Sequence, residues 1–143
     1  MKLRDIMSGP VVRICPEETV TVAARMLEHN NIGVLPVCRS DGRLCGMLTD
    51  RDIVIRCLAA GKDPETTCVQ DVMTGKLYVG RPDMEVSLAA GMMGREQIRR
   101  LPVMEHGKLC GMVSLGDLAR KEGSSMEAGD ALIQISSRLS SRE

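Results

Sequence analysis

Apolar residues stand at Val20, Ala23, Ala24 and Leu27, the i, i+3, i+4, i+7 spacing of one buried helix face. The pattern then changes. "GVLPV" (33–37) is a continuous apolar run, Asp41-Gly42 marks a turn, and "LCGML" (44–48) is a second run, which together predict two strands. Helical spacing returns after Thr49 with Ile53, Val54 and Leu58, and "GKDP" (61–64) supplies the Gly and Pro that stop a helix. A short extended stretch, "VVRI" (11–14), leads into the first helix through a Pro-containing turn. The predicted order is β-α-β-β-α. Runs without polar alternation predict strands covered on both faces.

Slid by about 66 residues, the chain meets itself again. "RDIM" (4–7) meets "QDVM" (70–73), "ETVTVAARML" (18–27) meets "MEVSLAAGMM" (84–93), and "NIGVLPV" (31–37) meets "QIRRLPV" (97–103). "DGRLCGMLTDRD" (41–52) meets "HGKLCGMVSLGD" (106–117), with one residue fewer in the second turn. "LYVG" (77–80) takes the place of "VVRI". The copies divide the chain at residues 1–62 and 63–121. One copy of about 60 residues is marginal alone, whereas two can bury their faces against each other around a pseudo-twofold axis. Residues 122–143 form a linker, "KEGSSMEAGD", and then a terminal amphipathic helix with Ala128, Ala131, Leu132, Ile135 and Leu139 on one stripe. That stripe needs cover from its own domain or from a second subunit.

Nineteen basic and nineteen acidic side chains balance, which argues against a broad nucleic-acid or anionic-membrane surface. With no Trp or Phe and one Tyr, a base-stacking platform lacks its aromatics. No apolar run approaches the roughly 18 residues of a transmembrane helix, and "MKLRDIMSGP" lacks the apolar stretch of a signal peptide. The expected location is the cytoplasm. Six cysteines, at 15, 38, 45, 57, 68 and 110, contain no CxxC pair. They read as free thiols, mostly acting as small buried hydrophobes. Cys38 and Cys45 flank a turn, which leaves a disulfide or a shared metal there as the alternative. His29 and His106 do not recur at matching positions and have no partnered nucleophile. No enzyme is expected.

The anchors "DIM" or "DVM", "AA", "LPV" and "GM[LV][TS]..D", recurring in order in both copies, resemble a tandem pair of CBS domains, a Bateman module, over about residues 1–121. "GMLTDRDIVIRCLAAGKDP" is similar to small stand-alone bacterial CBS-pair proteins. The resemblance implies an α/β (α+β) fold of two pseudo-twofold-related β-α-β-β-α units plus the C-terminal helix. It implies a non-catalytic regulatory module that binds adenine nucleotides or adenosyl compounds in clefts between the copies and pairs into homodimers. The candidate ligands are AMP, ADP, ATP and S-adenosylmethionine, none of them a required cofactor. The downstream protein target is unknown. The alternative is a ligand-free protein of the same fold, acting through protein–protein contacts or in a stress response.

Gly-x-x-[Thr/Ser]-x-x-Asp occurs twice, ending in Thr49 and Asp52 and in Ser114 and Asp117. By local chemistry it is a variant capping box at a strand-to-helix junction. By resemblance each aspartate accepts the two hydroxyls of a ribose, with the Thr or Ser hydroxyl and first-turn N–H groups near a phosphate. The glycine three residues before Thr49 or Ser114 is expected to let ligand or backbone approach. Before "LPV" the second copy has Arg99 and Arg100, where the first has Gly33 and Val34. Arginines there reach phosphate by resemblance, since a guanidinium can bind it bidentately; otherwise they are solvated strand-end charges. The Ser114/Asp117 site is therefore expected to prefer a phosphorylated ligand more strongly, and Gly33 to leave room for an arginine from the other copy, so that the Thr49/Asp52 site need not lack phosphate contact. By resemblance Met7, Val12 and Ile32 wall the adenine at Asp117, and Met73, Tyr78 and Ile98 that at Asp52; core packing is the alternative for each.

Overall fold

Helix α1 (Val20–Asn30) starts where Thr19 Oγ1 accepts the Val22 N–H (3.3 Å) and buries Val20, Ala23 and Leu27. It ends at Asn31, whose left-handed φ of 51° turns its N–H back onto the last helical carbonyls. The molecule is seen in a computed structural model that describes residues 1–9 and 11–120, with Gly129, Ala131 and Ile135. Strands β1 (Val34–Cys38) and β2 (Leu44–Thr49) follow and pair antiparallel, Val34 opposite Thr49 and Val37 opposite Gly46, with a slip at Val37/Cys38. A helix of one turn, α2 (Asp50–Asp52), continues as a wider π-helical segment, Ile53–Leu58. The second copy repeats the order with α3 (Val86–Glu96), β3 (Arg100–Glu105), β4 (Lys108–Ser114) and α4 (Leu115–Arg120). The mixed helix and strand content, with one hairpin in each copy, is of the α+β class expected.

The missing residue in the second turn has a structural counterpart. His106 and Gly107 form a two-residue connection with φ of 54° and 77°, both positive, as a tight hairpin turn requires. The first turn is longer. Arg39 N–H donates to Arg43 O and Gly42 N–H to Arg39 O (both 2.9 Å), with Gly42 at φ 89°, and the extra residue goes with the strand slip.

The strands correct one expectation. β1 is buried over four successive residues, but β2 and β4 alternate buried with half-buried positions, so they are not covered equally on both faces. The extended leaders shrink to single parallel bridges, Ile14 to Val37 and Gly80 to Val103. Ala131 and Ile135 are helical and buried, while the expectation for Ala128, Leu132 and Leu139 lies outside the described residues.

Two spatial units result, and their membership crosses the sequence repeat. One gathers Met1–Val11, Tyr78–His106 and Cys110–Glu143; the other gathers Val12–Leu77 and Gly107–Leu109. The "RDIM" segment of the first copy thus folds with the helices of the second. In this unit Leu3 heads a 3-10 turn (Leu3–Asp5), its N–H donates to Met84 O (2.9 Å), and Ser8 exchanges two hydrogen bonds with Met112 (2.8 and 3.1 Å). In the other unit Val69 heads the matching turn (Val69–Asp71), its N–H donates to Glu18 O (2.8 Å), and Thr74 exchanges two with Met47 (2.9 and 3.0 Å). Burial is the driving cause. Leu3 and Ile6 complete a core with Val86, Met93, Leu101 and Leu118, and Val69 and Val72 complete one with Val20, Leu35, Leu48 and Cys57.

Candidate functional site

In each unit the site grows from the junction of a hairpin strand and the following helix. Thr49 N–H donates to Asp52 Oδ2 (3.0 Å), and Asp52 N–H donates back to Thr49 Oγ1 (3.1 Å). Ser114 and Asp117 do the same at 2.8 and 3.1 Å. The capping box is therefore present in both units, and it leaves Oδ1 of each aspartate outside the box.

Around Oδ1 the surroundings are charged and polar. Asp52 Oδ1 lies 3.5 Å from Thr74 Oγ1 and 3.8 Å from Arg56 Nε. Asp117 Oδ1 pairs with Arg120 Nη2. Sequence reasoning passed over Thr74, Arg56 and Arg120. The arginines had a signal, since a cation three or four residues after a helical acid shares its face. Thr74 had none, because only the bridge to Met47 brings it to the box.

The backbone sets the flanks. Gly33 O accepts the Asp50 N–H and Arg99 O the Leu115 N–H, each at 3.1 Å, so positions 33 and 99 abut their own unit's box. Arg99 and Arg100 are exposed. The space beside Gly33 is occupied by Asp50, whose Oδ2 lies 3.4 Å from where a Cβ would stand. The glycines that open the two motifs give room to a methionine in each unit and, at Gly111, to the Ser8 carbonyl as well, 3.1 Å from where a Cβ would stand, which is the backbone approach expected. Gly46 lies under the Met73 thioether and Gly111 under that of Met7, and a Cβ on either would fall within 3 Å of the sulfur.

These contacts put Met7 in the unit of Asp117 and Met73 in that of Asp52. Ile32 packs on the core of the Asp52 unit, and Tyr78 and Ile98 on that of the Asp117 unit; Val12 is exposed and belongs to the Asp52 unit. Within the units, then, Ile32 shares its core with Asp52's helix, and Tyr78 and Ile98 share theirs with Asp117's.

Cys38 and Cys57 are buried as small core groups, Cys45, Cys68 and Cys110 are half-buried, and Cys15 is exposed, so the expectation of buried thiols holds for two of the six. Burial pushes Cys38, Cys45 and Cys110 up from the ordinary thiol value, opposite to what a nucleophilic thiolate requires. Cys45 and Cys110 donate to the carbonyls of Val37 and Val103, both at 3.3 Å, which is the same bond in each unit. All six cysteines are free, and Cys38 stands opposite Leu44 rather than Cys45. Among the described residues no cluster of three or more metal-binding side chains occurs, and no helix is long and apolar enough to cross a membrane.

Two units, each built on a helix–hairpin–helix and closed by the same box, define a tandem pair of CBS domains. The CBS domain family matches residues 3–58 and 69–123, and the chain belongs to it. It is 42% identical over 134 residues to the CBS domain-containing protein YhcV of Bacillus subtilis, covering 94% of each chain. To hypoxic response protein 1 of Mycobacterium tuberculosis it is 41% identical over 117 residues, 82% of each. Among solved structures, hypoxic response protein I with two coordinated zinc ions superposes at TM-score 0.77 (40% identity, 84% of this chain, 98% of that one). The CBS domain pair of protein MJ0100, in complex with 5′-methylthioadenosine and S-adenosyl-L-methionine, does so at 0.76 (27% identity, 84% and 94%).

Proposed function

We propose that this protein is a non-catalytic sensor whose units take the ribose of an adenine nucleotide or adenosyl compound at Asp52 and Asp117. The observation that carries the reading is the duplicated carboxylate, held by one oxygen in a capping box and presenting the other beside cationic side chains. The bound adenosyl compounds of the MJ0100 domain pair support the ligand class. Arg99 and Arg100 supply phosphate donors near Ser114 and Asp117, while Gly33 and Val34 supply none near Thr49 and Asp52. AMP, ADP or ATP therefore suits the Asp117 site better, and S-adenosylmethionine, with no phosphate, is the ligand that does not need the arginines. Met7, Val12, Ile32, Met73, Tyr78 and Ile98 are the apolar groups assigned to the adenine.

Isothermal titration of the full chain with AMP, ADP, ATP, adenosine and S-adenosylmethionine tests this. At 100 times its dissociation constant one ligand adds about 2.7 kcal/mol of stability. Asp117→Ala should weaken AMP by about 10- to 150-fold, the 1.5–3 kcal/mol of a hydrogen bond to a charged group. Asp52→Ala should leave the tighter site nearly intact, and Arg100→Ala should weaken AMP more than adenosine. No binding of any of the five at millimolar concentration would favour the ligand-free reading, in which the boxes serve only as helix caps.

The protein is further proposed to be a homodimer. Val54, Ile55 and Leu58 are about half exposed along one short segment, an apolar surface that a second copy would cover. A monomer mass in light scattering at micromolar concentration would refute it.

A further inference from the structure

Both aspartates are occupied twice. Oδ2 accepts the N–H of the capping residue, and Oδ1 faces an arginine of the same helix. The carboxylate side chains are only 12% exposed, whereas Arg120 is 71% and Arg56 52% exposed. The arginine is thus the solvent-side neighbour of a nearly buried carboxylate.

We propose that Arg120 and Arg56 are gating residues: each occupies the carboxylate oxygen that a ribose must take, so ligand binding requires breaking an arginine–aspartate pair. This rests on the reading of Asp52 and Asp117 as ribose acceptors. Releasing the oxygen in the box would leave the part-buried N–H of Thr49 or Ser114 without its acceptor, so Oδ1 is the one that changes partner. The arginine side of each pair is open to solvent, which keeps the pair weak enough to break, and the gate lowers affinity by about 1.5- to 5-fold.

The gates differ because the helices differ. Beyond Asp117 the chain is α-helical and Arg120, three residues on, hydrogen-bonds Oδ1. Beyond Asp52 the helix widens into a π segment, and Arg56, four residues on, reaches Oδ1 only at 3.8 Å while its Nη1 donates to Met73 O at 3.1 Å. Arg56 is anchored elsewhere as well, so the Arg120 gate is the tighter one.

Adenosine is the deciding probe because it is neutral. Salt screens an exposed ion pair, so wild-type affinity for adenosine should rise between about 0.02 M and about 0.5 M salt. A residue that merely supports the fold gives no such dependence. Arg120→Met should tighten adenosine by about 1.5- to 5-fold at low salt and flatten the salt dependence; Arg56→Met should do so less. Melting temperatures of the unliganded variants establish that they fold. If Arg120→Met does not fold, the salt dependence of the wild type decides alone. Adenosine binding that is flat with salt, or unchanged or weakened in Arg120→Met, overturns the gate and leaves the ribose reading standing. Failure of wild type and variants to bind adenosine or AMP at any salt overturns the ribose reading and the gate together.

Discussion

The Asp52 unit and the Asp117 unit share one set of internal hydrogen bonds and differ most in the side chains turned outward. Both have the capping box, the paired bridge from the "DIM" or "DVM" segment, the methionine lying on glycine, and the thiol bonded to the strand carbonyl. Against that shared frame, Gly33 is replaced by Arg99, Val34 by Arg100, and the π segment that carries Arg56 by an α-helix that carries Arg120. Buried groups need their partners whatever the ligand, because an unpaired buried polar group or a mispacked core costs a large fraction of the fold's small net stability. Exposed groups are free of that demand. The difference between the units is therefore where a difference in ligand preference is to be sought.

The largest effect should come from the shared core, and it should be the same in both units. Leu35 and Leu101 are equivalent and fully buried. Leu35→Ala and Leu101→Ala should each cost about 2–5 kcal/mol, measured by urea denaturation. A difference larger than about 3 kcal/mol, the whole spread of such deletions, would break the equivalence.

The methionine–glycine contact comes next. Gly46→Ala and Gly111→Ala put a methyl against Met73 or Met7, and overpacking of this kind costs about 1–3 kcal/mol. Coupling sharpens the test. Shortening the facing methionine to Ala in the same chain should recover part of the loss, so that the two changes do not add. Strict additivity would mean that the glycines are there for another reason.

Most of this frame was legible before any coordinates. Helical spacing at Val20, Ala23 and Leu27 and the apolar runs around Pro36 and Gly46 mark elements whose burial is local. Thr49 and Asp52 stand three apart, so their box is written in spacing alone. What escaped depends on long-range pairing. Spacing in "RDIM" does not itself say that it folds with residues beyond Tyr78; only the family resemblance set Met7 beside Asp117. Thr74 escaped for the same reason. The π segment escaped because apolar spacing over Ile53, Val54 and Leu58 fits an ordinary helix as well. The glycines were read as room for ligand or backbone, and the methionines above them escaped, because sequence cannot show which group lies above a missing Cβ.

The smallest effect lies at the helix starts, where the units differ in kind. Thr19 caps α1 with a hydroxyl, whereas the equivalent Glu85 makes no cap at α3 and instead meets Lys2 Nζ at 2.7 Å. Thr19→Ala should cost about 0.5–2 kcal/mol at any pH between 4 and 8, as the loss of a neutral cap does. Glu85 should behave otherwise. The hydrogen bond and charge of Lys2 hold its carboxyl below the ordinary glutamate value. An acid with a depressed pKa adds stability that is fully present above its unfolded value and is lost as pH falls through its folded one. The gap between wild type and Glu85→Gln should therefore be constant at neutral pH and close as pH drops below about 4.5. Salt should shrink it too, because the pair is exposed. Thermal melts of the two variants against pH make the comparison. A Glu85→Gln gap that persists at pH 3 would show that the side chain acts through packing or a cap rather than through its charge, and the two helix starts would then be alike after all.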